Sequence, residues 1–581
     1  MPMMDRTCRL RSSATVLALA LLTLLACRSS RTDIPLAALE LPPGEQLLEL
    51  GHKGPAVVAG SSGPARFAGL FNEDFDPSHA RSLLAFVDGF YRAPANDGYE
   101  AVLDRIAAEL REVGFGSEPG LELFFLEEPL ESFVWGDRSA RHVVPAWTPL
   151  AARVAVLSPN REPRYVHRFE GPLDEDRTML PVNAPSGEAV GTVAFDLEDL
   201  EPGQVLVMRA SPRPSVIRRA VADGAVAVLS ADLEAYTVDP TGAERHLDAI
   251  RYTRLPYGAP IPVCMISPRA YETIESACLA DPTTTVRVEA SVRFDERPLR
   301  TLVAIVRGAD RPQEGFSIAS HLQEPGTNDN ATGVVGLLES ARSLARLVRD
   351  GRLERPSRSL VFLWGDEFRQ TIMWLDSTDM KPIGGLSSDM TGASFAETGA
   401  ICLLERMPDP GAVRALPPDE HTPWGQHEVD PDSLVPNGLA VIARCALADV
   451  AALESGWQTA EHPYEGGSDH DMYVARGLPT ALIWHFTDFT YHTSLDRLGM
   501  VDVGEMRRTA AAIMATALAV ADPRPADLDR YLRTLDQERK VRVDAALAAG
   551  DEELAQHWRD WCEGARHWLR YECLRIPETE R

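Results

Sequence analysis

Several short stretches of this 581-residue chain place histidines and acids where side chains can do chemistry. His321 ends the apolar stretch FSIASH, and Asp329 follows after a short loop, inside the segment NDNATG that opens a helix. Asp366 and Glu367 follow the apolar run SLVFLWG, Asp389 stands in GLSSDM, and His492 comes after the apolar run ALIW. Singly, each has an ordinary structural role: Asp329 can cap its helix, Asp366 and Glu367 can enter another, Asp389 can form a turn, and His492 can sit among aromatic neighbours. Together they bring two imidazoles and three carboxylates, with Asp366 as one further acid, to the carboxyl ends of strands. Zinc accepts this nitrogen and oxygen set, and two ions about 3.5–4 Å apart need one shared carboxylate, for which Asp329 is the natural bridge. The chemistry expected is water activation at a metal pair. A serine hydrolase has no support, because no G-x-S-x-G elbow occurs. Asp469 and His470, in the SDH motif, can orient ligands or an oxyanion, or can sit at a helix N-terminus; Tyr491 can donate to an oxyanion or simply pack.

The elements that must position these residues are strands alternating with helices. From Leu299 onward the order is TLVAIV, FSIASH, a helix over 333–348, then SLVFLWG. This alternation predicts an α/β fold with a mainly parallel mixed sheet covered by helices on both faces, its site beyond the strands' carboxyl ends. Helical spacing over 79–92 and 99–113 and a strand over 121–126 precede it. Between about 152 and 293 short apolar runs broken by Pro and Gly (VAVL, GTVAFDL, GQVLVM, GAVAVLS, IPVCMIS) predict a β-rich insert. Its strand, helix, strand succession resembles the protease-associated domain. Residues 399–435, rich in proline, read as a long loop or lid, and 525–574 as helices. The expected organisation is 1–27 signal, 28–66 tether, 67–151 the first part of the main domain, 152–293 the insert, 294–522 the rest of that domain, and 523–581 a helical C-terminal segment.

Composition narrows the partners. The chain is 45% hydrophobic and 25% charged, ordinary for a folded protein, and 58 basic against 86 acidic residues give a net charge of −28. Nucleic acid would be repelled, and no block of basic residues exists to grip phosphates; lysine occurs only at Lys53, Lys381 and Lys540. The first 27 residues have a basic start and an apolar run too short to span a bilayer, then Leu24-Leu25-Ala26-Cys27. This resembles the lipobox of bacterial lipoproteins. It implies acylation of Cys27 and an exported protein facing the periplasm or cell exterior, with the lipid as its sole membrane attachment. The six later cysteines form no C-x-x-C pair, so thiolate zinc is not expected; buried thiols or one or two disulfides are.

The segments HLQEPGTNDNATG, FLWGDE, GLSSDM, GGSDHDMYVARGLP and YHTSLD, in this order, resemble the two-zinc aminopeptidases of metallopeptidase family twenty-eight, whose relatives include glutamate carboxypeptidases and glutaminyl cyclases. The resemblance covers roughly 67–130 and 299–520. It implies a zinc-exopeptidase fold of the phosphorylase/hydrolase-like class, two zinc ions, and a peptide substrate trimmed from its amino end. By it, His321, Asp329 and Asp389 would hold one ion, and Asp329, Glu367 and His492 the other. Asp366 would be the general base. There the family usually has glutamate, so this chain is shorter by one methylene, about 1.5 Å of reach. Phe368-Arg369-Gln370-Thr371 also replaces the usual glycine-rich continuation. A carboxypeptidase or a one-zinc cyclase on the same scaffold, and a binding protein that has lost turnover, are the rival readings.

Overall fold

Apolar runs without alternation form strands that are covered on both faces. The computed structural model describes residues 51–577, apart from Asn160 and Ser455. The signal segment, Cys27 and most of the tether lie outside the described residues. Nine strands make the central sheet: β1 (Gly51–Lys53), β2 (Leu121–Pro129), β3 (Pro298–Val306), β4 (Arg311–His321), β5 (Arg358–Gly365), β6 (Lys381–Ser388), β7 (Ile401–Arg406), β8 (Gln458–His462) and β9 (Thr480–Phe486). Their order is β1-β8-β7-β9-β6-β4-β5-β3-β2. Pairing is parallel from β9 through β6 and β4 to β5, and antiparallel at β7–β9, β5–β3 and β3–β2. The sheet is therefore mixed, with a parallel centre.

Successive residues of these strands feed opposite faces. On one side Leu302, Phe316, Ile318, Leu360, Phe362 and Trp364 belong to the main core, which includes residues of α1 (Ala65–Asp74), α2 (Pro77–Asp88), α3 (Asp97–Glu112), α4 (Ala331–Arg349), α6 (Leu439–Leu453) and α7 (Val503–Ala521). On the other, Val303, Ile305, Ala319, Val361 and Leu363 pack with Trp374 of α5 (Arg369–Ser377). At the C-terminus α8 (Leu528–Ala548) and α9 (Glu552–His567) pack against each other and supply Leu535, Trp558 and Trp561 to the main core. Helices thus cover both faces, as expected from the alternation.

The segment expected as an insert has a core of its own. Strand Ala146–Leu157 pairs antiparallel with Thr285–Asp295 over its whole length, flanked by Arg164–Phe169 and Gly187–Gly191. A second, parallel sheet joins Val193–Ala194, Val205–Met208, Ala227–Ser230 and Val263–Met265. One expectation fails within 399–435: residues 401–406 are strand β7, paired antiparallel with β9. Its two charged terminal residues and the prolines beyond it hid the strand. The six described cysteines are free thiols. Among the described residues no helix is long and apolar enough to cross a membrane.

Candidate metal centre

At the carboxyl ends of β4, β5 and β6 stand His321, Glu367 and Asp389, and the loop beyond β9 returns His492 to the same edge. His321 Nε2 lies 3.0 Å from Asp389 Oδ1, 3.5 Å from Asp329 Oδ1 and 3.9 Å from Glu367 Oε1. His492 Nε2 lies 3.1 Å from Asp329 Oδ2. Asp329 thus turns one oxygen to each histidine. All five residues line one cavity of about 200 Å³, with Glu324, Trp424, Trp484 and Tyr491 among its other walls.

The backbone around each residue explains its aim. Helix α4 is capped by Asn330, whose Oδ1 accepts the Gly333 N–H, so Asp329 is free of that duty. The N–H groups of Asn328 and Asp329 donate to the two oxygens of Asp496 at 2.6 and 2.8 Å, which fixes the loop. Ser468 Oγ donates to Asp389 Oδ2 at 2.9 Å, leaving Oδ1 for His321. Asp469 accepts from Phe368 N, Thr371 Oγ1 and Gln370 Nε2, and so ties down the turn that carries Asp366 and Glu367 and begins α5. It caps a distant helix entry instead of its own. His470 Nε2 bonds Glu405 Oε1 at 2.9 Å, and the same oxygen takes the N–H groups of Glu465 and Gly466. Gly467 has φ +95°, and a Cβ there would meet Trp424 at 2.6 Å, so only glycine lets that indole lie over the cavity. Tyr491 stacks on His492 with ring centroids 3.9 Å apart.

Charge in this cavity is one-sided. Burial and the neighbouring Glu324 carboxylate push Asp329 well above the usual carboxylate range, and burial does the same to Glu367. Burial pulls His321 down, but Asp389 and Glu367 overrule it and hold the imidazole well up. Four carboxylates, of Glu324, Asp329, Glu367 and Asp389, face two imidazoles across the cavity, and the upward shifts of Asp329, Glu367 and His321 are the response of an acid-rich site that takes up protons where no cation balances it. The buried Asp329 Oδ2 faces His492 Nε2 at 3.1 Å. A carboxylate that turns each oxygen to a different imidazole, among further nitrogen and oxygen donors, fits divalent cations, which take those ligands and invert the local charge balance.

Asp366 lines a neighbouring cavity of about 290 Å³ together with Arg141 and Arg254. Burial pushes its carboxyl up to about 6, against the pull of the two guanidiniums. Arg254, from the insert, lines that cavity and donates from Nη2 to Glu324 Oε1 at 3.2 Å, so it joins the two chambers. Glu324, Arg254, Asp496 and Trp424 were not singled out by sequence. Glu324 carried a signal, being an acid three positions past the strand-end histidine; a lone arginine in the insert carried none.

The sheet order gives an α/β fold with a mixed, centrally parallel sheet covered by helices on both faces, and the site stands at the carboxyl ends of its strands. Among solved structures the chain is similar to the Peptidase M28 precursor from Shewanella amazonensis SB2B, at a TM-score of 0.51 and 15% identity over 79% of this chain and 96% of that one. It is matched also by the zinc aminopeptidase BSAP from Bacillus subtilis (TM-score 0.48, 14% identity, 77% and 96% covered) and by an aminopeptidase from Aneurinibacillus sp. strain AM-1 (0.46, 15%, 78% and 96%). No protein-family model and no curated protein matches the chain.

Proposed function

We propose that this chain is a two-zinc exopeptidase that removes residues from the amino end of peptides. The observation that carries this reading is Asp329, buried, with one oxygen toward His321 and the other toward His492. His321, Asp389 and one Asp329 oxygen would hold one ion; His492 and the other Asp329 oxygen would hold the second, and the family resemblance adds Glu367 there. Bound zinc supplies Lewis acidity and a water acidic enough to lose its proton near neutrality. Asp366, with its carboxyl at about 6, is mostly ionised at neutral pH and suited to accept a proton and return it to the leaving amine. Trp424 and Trp484 exclude water from one wall, while Tyr491 holds the His492 ring by stacking. The acidic wall attracts the ammonium group of a free amino terminus, which favours cleavage at the first peptide bond. The fold shared with the Shewanella peptidase supports a peptide substrate. The first 27 residues support export and anchoring through an acylated Cys27.

One observation favours a carboxypeptidase instead: Arg141 and Arg254 beside Asp366 would suit a substrate carboxylate. The deciding experiment is metal analysis of the purified protein joined to a peptide-library digest read for which end shortens. Two zinc ions with amino-end trimming is the expected result. Carboxyl-end trimming selects the rival, a single ion points to a cyclase type, and bound metal without turnover points to a binding protein.

A further inference from the structure

Glu324 has no place in the ligand set drawn from the sequence motifs, yet it faces the cavity. Its Oε2 lies 2.9 Å from His492 Nε2, which itself lies 3.1 Å from Asp329 Oδ2. Donors around a tetrahedral zinc, each at about 2.0–2.2 Å, stand roughly 3.3 Å from one another, so this spacing is that of ligands about one cation. Glu367 stands elsewhere: its Oε1 is 3.9 Å from His321 Nε2 and its Oε2 is 3.4 Å from Gln323 Nε2. Among the described residues, the carboxylates in ion-pair range of His492 are Asp329 and Glu324.

The loop that carries Glu324 is built to aim it. Arg92, fully buried, donates from Nε to Leu322 O at 3.0 Å and from Nη2 to Gly326 O at 2.6 Å, and its own carbonyl accepts the Glu324 N–H. So held, Glu324 has φ +104°, a conformation that disfavours any residue with a Cβ and that glycine would adopt freely. A side chain kept there, only 5% exposed, is kept for what its carboxylate does. The oxygen that does not face His492 is taken by Arg254 Nη2, as ligating carboxylates are commonly fixed by an outer hydrogen bond.

We infer that Glu324 is itself a metal ligand, completing with His492 and Asp329 the sphere of the second cation, with Arg254 of the insert as its positioning residue. This rests on the two-cation reading above. The test is zinc stoichiometry of the full chain in metal buffers of defined free zinc, with cobalt absorption as a second readout of coordination. Wild type is expected to bind two ions. Glu324→Gln and Glu324→Gly should keep one tight ion and lose the other, with an altered cobalt spectrum. Arg254→Met should weaken the second ion about ten- to a hundredfold. Glu324→Gly also relieves the backbone, so its metal-free melting temperature should equal or exceed that of wild type, separating a ligand from a structural prop. Two ions at unchanged affinity in both Glu324 variants would overturn the assignment while leaving the metal pair intact. Loss of both ions from a folded variant would overturn it as well, and fewer than two ions in wild type would remove the two-cation reading along with it.

Discussion

Asp329 and its two histidines set the geometry of the cavity, and in the proposed mechanism the proton traffic falls to Asp366. Replacing Asp366 by alanine should leave zinc content intact and lower hydrolysis of aminoacyl anilides by about 10²–10⁴-fold, the usual worth of a positioned base. Unchanged turnover would reject the role. Asp366→Glu should keep or raise the rate; a thousandfold loss would mean that the turn held by Asp469 has adapted to the shorter acid. Ser468→Ala removes the hydrogen bond that turns Asp389 toward His321, and a zinc titration should read about ten- to a hundredfold weaker binding of one ion. The convergence of His321, Asp329, Glu367, Asp389 and His492 on one cavity was legible in the sequence because each sits beside a strand-end or helix-start signature. Glu324 carried only its spacing from His321 as a signal, because its direction depends on a positive-φ turn in a loop held by the distant Arg92.

At the level of elements, alternating apolar runs gave the parallel centre of the sheet, whereas β7 was lost among prolines. The pairing of β7 with β9 is a long-range fact that local spacing does not encode. Helix α7 shows a comparable hidden link. Glu505 in its first turn accepts from Trp457 Nε1 at 2.7 Å and faces His485 Nε2 at 3.5 Å. Burial pushes the Glu505 carboxyl up, but His485 and Arg508 outweigh it and hold it at about 2, against an ordinary 4.5. Because the folded-state value is the lower one, the stabilisation is full above pH 4.5 and is lost as pH falls from 4.5 toward 2. Glu505→Gln should therefore be less stable than wild type at neutral pH by up to about 3 kcal/mol, with the gap closing on acidification. Urea unfolding at a series of pH values checks this; a gap independent of pH would refute it.

Across the whole molecule, the C-terminal helices are tied to the far edge of the sheet by buried charge. Arg542 of α8 reaches Asp419 at 2.8 Å and Glu461 at 2.7 Å, and Arg444 of α6 reaches Glu461 and Glu538. The sequence announced those helices but not this network, whose members come from four separate stretches. Arg542→Leu takes one guanidinium from three buried carboxylates, Asp419, Glu461 and Glu538, and should cost about 3–5 kcal/mol in denaturant unfolding. A loss below about 1 kcal/mol would show that the remaining arginines, Arg406 and Arg444, suffice. The size of the chamber beneath Trp424 bears on the molecule's working life. At about 200 Å³ it is smaller than the roughly 300–1,000 Å³ of ordinary small-molecule pockets. If the proposed exopeptidase reading holds, the chamber takes the frayed tip of an extended chain and not a folded surface. Its substrates are then expected to be peptides already cut or unwound; unchanged turnover of a tightly folded protein with no free end would refute this.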